Sequence, residues 1–173
     1  MIEITPYQTS WPEAFATEAQ ALRVLVPAFV ALEHVGSTAV PGLAAKPIID
    51  MMAAVPALDE VAPILPALGQ RGYALVETGM RERIFLQRGG TPGFNLHIVT
   101  LATWPDRKER LMRDTLIADP EAAAEYATLK RRLAEVHGDD MAAYTRAKTA
   151  FVQQIMDAVR DRLGLPRTDV WED

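Results

Sequence analysis

The chain contains no cysteine. That excludes disulfides, thiolate metal sites and cysteine nucleophiles, and removes any compositional pointer to an oxidising compartment. Long apolar runs are also missing. Ile48 to Val55 is far short of the roughly 20 helical residues that span a bilayer, and Met1 to Pro12 has no basic flank leading into an apolar stretch. The expectation is a cytoplasmic protein with no membrane partner. An excess of positive charge is absent too. Lys and Arg number 18 against 23 Asp and Glu, and the two signs are interspersed at a net charge of −5. Nucleic acid is therefore not the expected partner, because neutralising its phosphates needs clustered basic residues. A small anionic ligand is compatible with this balance. Several motifs are missing as well: the Gly-Lys-Ser/Thr P-loop, Gly-x-Gly-x-x-Gly, His-Glu-x-x-His and Gly-x-Ser-x-Gly. Their absence sets aside common nucleotide, zinc and serine-hydrolase explanations, and no organic cofactor is evident.

What is present suffices for one sizeable core: 173 residues, of which 49% are hydrophobic. The pattern predicts a single domain over 1–173, with a sheet-containing part to about residue 103 and a helical part over about 104–165. Ser10 followed by Glu13 reads as a capping box, and Phe15, Ala19, Leu22, Val26 and Phe29 recur at helical spacing behind it. A Gly- and Pro-rich segment, Glu33 to Lys46, leads into a central strand over Pro47 to Val55. A helix over Leu58 to Leu68 is expected despite Pro63 and Pro66. Strands are expected at 73–77, 83–88 and 94–100, the last two joined by a turn at Gly89 to Gly93. Helices should follow over Asp106 to Ala118, from Asp119 and Pro120 to Val136, and from Met141 to Gly164. Strands followed by helices give an α+β organisation.

The most informative stretch is His34 to Asp50. Gly36 lets a ligand approach the backbone, Ser37 and Thr38 offer hydroxyls and amides, and Lys46 supplies positive charge, so the loop suits phosphate. An ordinary Gly/Pro loop with polar turn residues is the competing reading. Asp50 lies in an otherwise apolar strand, where an ionised carboxylate needs a partner. That partner is either a salt bridge with Lys46 or a nearby arginine, or a metal or ligand. Alternation puts Asn95, His97 and Val99 on one face of their strand. If His97 meets Asp50 and His34, the three form a two-histidine, one-carboxylate set suited to a divalent metal. Arg81, Arg83 and Arg88 surround the central hairpin, and Arg83 reads either as a phosphate-facing arginine or as a solvated edge charge. Tyr144 and Lys148 are i,i+4 neighbours able to touch one ligand or each other. Arg107, Lys108, Arg110 and Arg113 read as a solvated helix face, as do Lys130, Arg131 and Arg132.

The run His34-Val35-Gly36-Ser37-Thr38-Ala39-Val40-Pro41-Gly42, with Ala45-Lys46-Pro47-Ile48-Ile49-Asp50, resembles the signature of the GrpB family. Supporting pieces span nearly the whole chain: Trp11-Pro12-Glu13, Arg83 before Phe85, Asn95-Leu96-His97-Ile98-Val99, Glu125-Tyr126 with Leu129-Lys130, and Tyr144-Thr145 with Lys148. The resemblance implies a nucleotidyltransferase-like fold, a mixed β-sheet packed with helices and followed by a C-terminal helical region. It implies a nucleotide or phosphorylated small molecule as ligand, with Gly36 and Ser37 matching the phosphate loop, to which the residues read above add Thr38, Lys46, Arg83, Tyr144 and Lys148. In active members of that fold a strand with Asp-x-Asp or Asp-x-Glu, plus a later carboxylate, binds two magnesium ions. Here Asp50 matches one carboxylate, the second falls on Ile48 or Met52, and the later strand offers His97. The resemblance thus leaves three alternatives open. One is a metal-dependent nucleotidyl or phosphoryl transferase with Asp50 catalytic. Another is metal-dependent hydrolysis or transfer on a phosphate ester, using one ion, a transition metal in preference to magnesium, held by Asp50, His97 and His34. The last is a non-catalytic nucleotide- or partner-binding domain that has lost the metal pair.

Overall fold

The computed structural model describes residues 2–79 and 82–170. At its centre lies β2 (Ile48–Val55), whose last five residues are buried. A strand covered on both faces is expected to be apolar throughout rather than alternating, which is how 48–55 reads. Its neighbours are β1 (Ala31–Val35), antiparallel, and β5 (Gly93–Thr100), parallel. Beyond β5 lie β4 (Arg83–Arg88) and the short β3 (Ala74–Leu75), both antiparallel, giving the order β1-β2-β5-β4-β3. The strands expected at 83–88 and 94–100 are present, and the one at 73–77 shrinks to two residues. β1 was not legible in the sequence.

One face of the sheet carries the main core. Ile49, Met51, Ala53 and Val55 of β2, with Leu96 and Ile98 of β5, pack against Trp11, Ala19 and Leu22 of α1 (Ser10–Leu25). The expected capping box does not form. Thr9 is the N-cap, in a helical conformation, and makes no side-chain cap. The segment after β2 is a 3-10 helix, Leu58–Ile64, followed by α2 (Leu65–Gln70), instead of one α-helix. Pro63 lacks the N–H that an α-helical turn needs, whereas Pro66 sits in the first turn of α2 where no such donor is required.

The other face meets the helical part. Val35, Met52, Ala54 and Val99 pack with Trp104. Next come α3 (Lys108–Ala118) and α4 (Pro120–His137), then α5 (Met141–Ala147) and α6 (Thr149–Leu163). α4 starts as its sequence predicts, the Asp119 carboxylate accepting from the amides of Glu121 and Ala122 at 3.1 and 3.0 Å. The single helix expected from Met141 breaks at Lys148 into α5 and α6. α3 and β1 are tied by Glu33, which accepts from Arg110 and Arg113, so these arginines are not a freely solvated face. Among the described residues no helix is long and apolar enough to cross a membrane.

On the α1 face one charge is buried. The Glu18 carboxylate accepts from Arg71 at 2.7 Å, Arg88 at 2.9 Å and the Tyr73 hydroxyl at 3.0 Å. Burial raises its pKa, but the bonds from Arg71 and Tyr73 and the charges of Arg88 and Arg71 outweigh it and hold the carboxyl below its usual range. Glu18→Ala should cost about 2–3 kcal/mol in urea unfolding. That is less than a fully buried broken pair because both arginines can reach water. A loss under about 0.5 kcal/mol, the size typical of surface positions, would show that the cluster holds nothing together.

Candidate functional site

β1 ends at Val35, and the chain turns at Gly36 with φ +71°. A Cβ at Gly36 would lie 2.9 Å from the Asp50 Cβ and overlap the carboxylate, so the position needs glycine for both its dihedral and its lack of a side chain. The following turn, Ser37–Ala39, is fastened by the Thr38 hydroxyl, which donates to the Ile48 carbonyl at 3.1 Å and lies 2.9 Å from His34 Nε2. Since the hydroxyl has one proton and gives it to Ile48, His34 donates from Nε2. Burial, with a smaller contribution from Arg113, drives its pKa down to about 4.

Between this turn, the sheet and the helical part lies a cavity of about 250 Å³. Gly36, Ser37, Thr38, Lys46, Asp50, Tyr144 and Lys148, all singled out in the sequence, line it together. Asn95, Tyr126 and Lys130, which the sequence offered only as pieces of the family resemblance and not as site residues, line it as well. The β2–β5 register sets Asn95 beside Asp50, and its Nδ2 donates to Asp50 Oδ1 at 2.7 Å. Burial pushes the Asp50 carboxyl above its ordinary pKa, against the Asn95 bond and the charges of Lys46 and Lys148.

Lys130 on α4 is 3% exposed, and its Nζ donates to Ser37 Oγ at 3.0 Å and to the Ala44 carbonyl at 2.6 Å. The ammonium also sits 4.8 Å from the centre of the Tyr126 ring, one helical turn back. Burial, then the positive charges of Lys148, Arg131 and Lys46, bring its pKa down to about 7. Lys148 falls to about 8 through burial and Lys46. Lys46 is lowered by burial, with Asp50 opposing. The Tyr144 ring takes Lys46 at 5.3 Å and Lys148 at 4.5 Å, and burial raises its hydroxyl to about 12. The i,i+4 aromatic–lysine spacing that marks Tyr144 and Lys148 recurs at Tyr126 and Lys130. That spacing was the available signal for Lys130, which was instead read as solvated beside the exposed Arg131 and Arg132.

Three predicted site residues lie elsewhere. Arg83, its side chain 2% exposed, pairs with Glu109 at 2.6 Å and does not face the cavity. Its Nη1 is 3.2 Å from His97 Nδ1, and because arginine can only donate, that nitrogen accepts. Burial is the main reason His97 is brought to about 4 and stays neutral. His97 opposes Met52, about 7 Å along the sheet from Asp50. His34 is on the α1 face, stacked on Phe15 at 4.9 Å, and meets the cavity only through Thr38. The proposed His34–Asp50–His97 metal set is therefore not assembled: the register interposes Asn95 and the pleat turns His34 away. Among the described residues no group of three or more His, Cys, Asp or Glu is gathered to hold an ion. Arg81 lies outside the described residues.

The architecture is the α+β fold of the nucleotidyltransferases. Terminal uridylyl transferase 4 from Trypanosoma brucei with bound dUTP matches it at TM-score 0.57 and 13% identity, over 93% of this chain and 56% of that one. That is a likeness of fold alone. Within that class the chain belongs to the GrpB family, whose model, described as GrpB protein, matches residues 1–158. The crystal structure of conserved protein GrpB from Enterococcus faecalis is similar at TM-score 0.85 and 33% identity, covering 94% of this chain and 99% of that one. UPF0157 protein YqkA of Bacillus subtilis is 34% identical over 155 residues, 88% of this chain and 45% of its own length. The chain thus spans under half of that relative.

Gly36→Ala tests the geometry. The left-handed dihedral and the overlap with Asp50 should together cost about 1–3 kcal/mol in urea unfolding. Unchanged stability would show that the turn does not press against the carboxylate.

Proposed function

We propose that this chain binds the phosphate end of a nucleotide, or of another phosphorylated small molecule, in the Gly36–Ser37 cavity. The observation that carries this reading is the convergence of Lys46, Lys130 and Lys148 with the Ser37 hydroxyl around a single carboxylate. Desolvated ammoniums beside one another are costly, and a bound anion relieves that cost. The cavity is small for a whole nucleotide and suits a phosphate end, with the remainder of the ligand outside. The nucleotidyltransferase-like fold, and a neighbour with bound dUTP, support a nucleotide as that remainder. A second reading, nucleotidyl or phosphoryl transfer, rests on Asp50. Among the described residues it is the one carboxylate lining the cavity, and with its pKa raised it is suited to accept a proton from an attacking hydroxyl. Release of phosphate or pyrophosphate from nucleoside triphosphates is the measurement that separates transfer from binding.

Thermal melting with a panel of nucleoside mono-, di- and triphosphates tests binding. At about a hundredfold excess over Kd a ligand should add about 2.7 kcal/mol and raise Tm by roughly 5–10 °C. Lys130→Met should lose this response in protein that still melts cooperatively, at a Tm lowered by the Ala44 carbonyl it leaves unpaired. An equal response in the variant would move the ligand away from Lys130.

The low lysine pKa values give the binding a pH dependence. Protonated amines hold the anion, so affinity should fall as pH rises through about 7 for Lys130 and about 8 for Lys148. With sulfate, which does not titrate in this range, the loss should be tenfold or more between about pH 6 and about pH 9. A flat profile would place the anion elsewhere. Without ligand the sign reverses for folding: the Lys130 pKa falls from 10.5 to about 7, so its contribution to stability improves as pH rises between those values.

A further inference from the structure

We infer that the cavity takes a phosphoryl or diphosphoryl group bare of any divalent cation, with Lys46, Lys130 and Lys148 supplying the positive charge that a metal would bring. This rests on the binding reading above and adds the form in which the ligand arrives. The protein supplies few charged oxygens for a hard cation. Magnesium takes six oxygens in octahedral array, and among the described residues Asp50 is the one carboxylate lining the cavity, its Oδ1 accepting from the Asn95 amide. The other oxygen is packed against Gly36. Two residues to either side on the same face of β2 stand Ile48 and Met52, which offer no oxygen. His97, the nearest nitrogen candidate along β5, opposes Met52 and already accepts from Arg83.

The charges point the same way. Three ammoniums against one carboxylate give the cavity an excess of two positive charges when all are ionised. A phosphate monoester carries about 1.5–2 negative charges near neutral pH, enough to balance that excess. A divalent cation entering beside Asp50 would raise the excess to four, in a site already polarised enough that Lys148 and Lys46 depress the Lys130 pKa.

Calorimetric titration of chelator-treated protein with inorganic pyrophosphate and with orthophosphate tests this, first in EDTA and then in excess magnesium or manganese. Saturable binding in EDTA, unchanged or weakened by the metal, is the expected result. Asp50→Asn keeps an acceptor for Asn95 and removes the one repelling charge, so it should tighten binding by about threefold to tenfold. Lys130→Met should weaken binding by about tenfold or more. Binding seen only with a divalent cation, or abolished by Asp50→Asn in protein that still melts cooperatively, would overturn the metal-free form while leaving phosphate binding intact. No binding of either anion under either condition would overturn both readings.

Discussion

Because β2 pairs in parallel with β5 in the register Asp50↔Asn95 and Met52↔His97, an amide stands against the Asp50 carboxylate where an imidazole two residues on could have stood. That register cannot drift. A shift of one residue would turn Phe94, Leu96 and Ile98 out of the core they share with Ile49, Met51 and Ala53. The antiparallel partner β1 is locked as firmly, with Val35 opposite Asp50, so the chain must leave the sheet at Gly36 directly against the carboxylate. Core packing on the α1 face thus dictates the chemistry on the other face. The carboxylate gets one amide partner, a glycine backbone at its flank, and cations that come from elsewhere in the chain.

Those cations arrive from three places. Lys46 precedes β2, Lys130 is on α4, and Lys148 is at the break between α5 and α6. Each lysine has something to fix it: the Met141 sulfur and the Tyr144 ring for Lys46, the Ala44 carbonyl and the Tyr126 ring for Lys130, and the Tyr144 ring for Lys148. Ring faces and neutral acceptors hold an ammonium in place without cancelling its charge. A carboxylate partner would have cancelled it.

Much of this was legible in the residues. β2 announces itself as an apolar run, and β4 and β5 as runs flanking a Gly/Pro turn. α4 announces itself by Asp119-Pro120 at its start. β1 was hidden because Val26 and Phe29 continue the apolar spacing of α1 past its true end at Leu25, although Pro27 stands in the turn that ends the helix. The break at Lys148 has no glycine or proline beside it. Within the site, Gly36, Ser37, Thr38, Lys46 and Asp50 are close in sequence, and local reasoning gathers them. Lys130 is brought in only when α4 lies across the loop at Val40 and Leu43, a contact no local pattern contains. Its neighbours Arg131 and Arg132 face water, so composition alone gives the three the same reading. The metal set went astray for a matching reason: alternation fixes which face His97 takes, but not its register against Asp50.

The same sheet face carries two charge clusters, and they differ in whether their charges cancel. In the first, the Arg83 guanidinium meets Glu109 at 2.6 Å with His97 neutral beside it, so positive and negative cancel inside a nearly closed space. Among the described residues Arg83 Nε and Nη2 and Glu109 Oε2 have no hydrogen-bond partner, which makes this an imperfect pair whose pull is inward, between β4 and α3. A pair of this kind positions elements and offers an outside charge little. In the second cluster the sum does not close. Three ammoniums face one carboxylate whose own pKa is raised, so burial works against the charged form of both signs at once. The protein alone cannot relieve that. Adding a cation would worsen it, whereas an anion reaching Lys130 and Ser37 would restore the lost solvation of the lysines with charge-assisted bonds. On the proposed reading, the imbalance selects the sign of the ligand before any detail of its shape is considered.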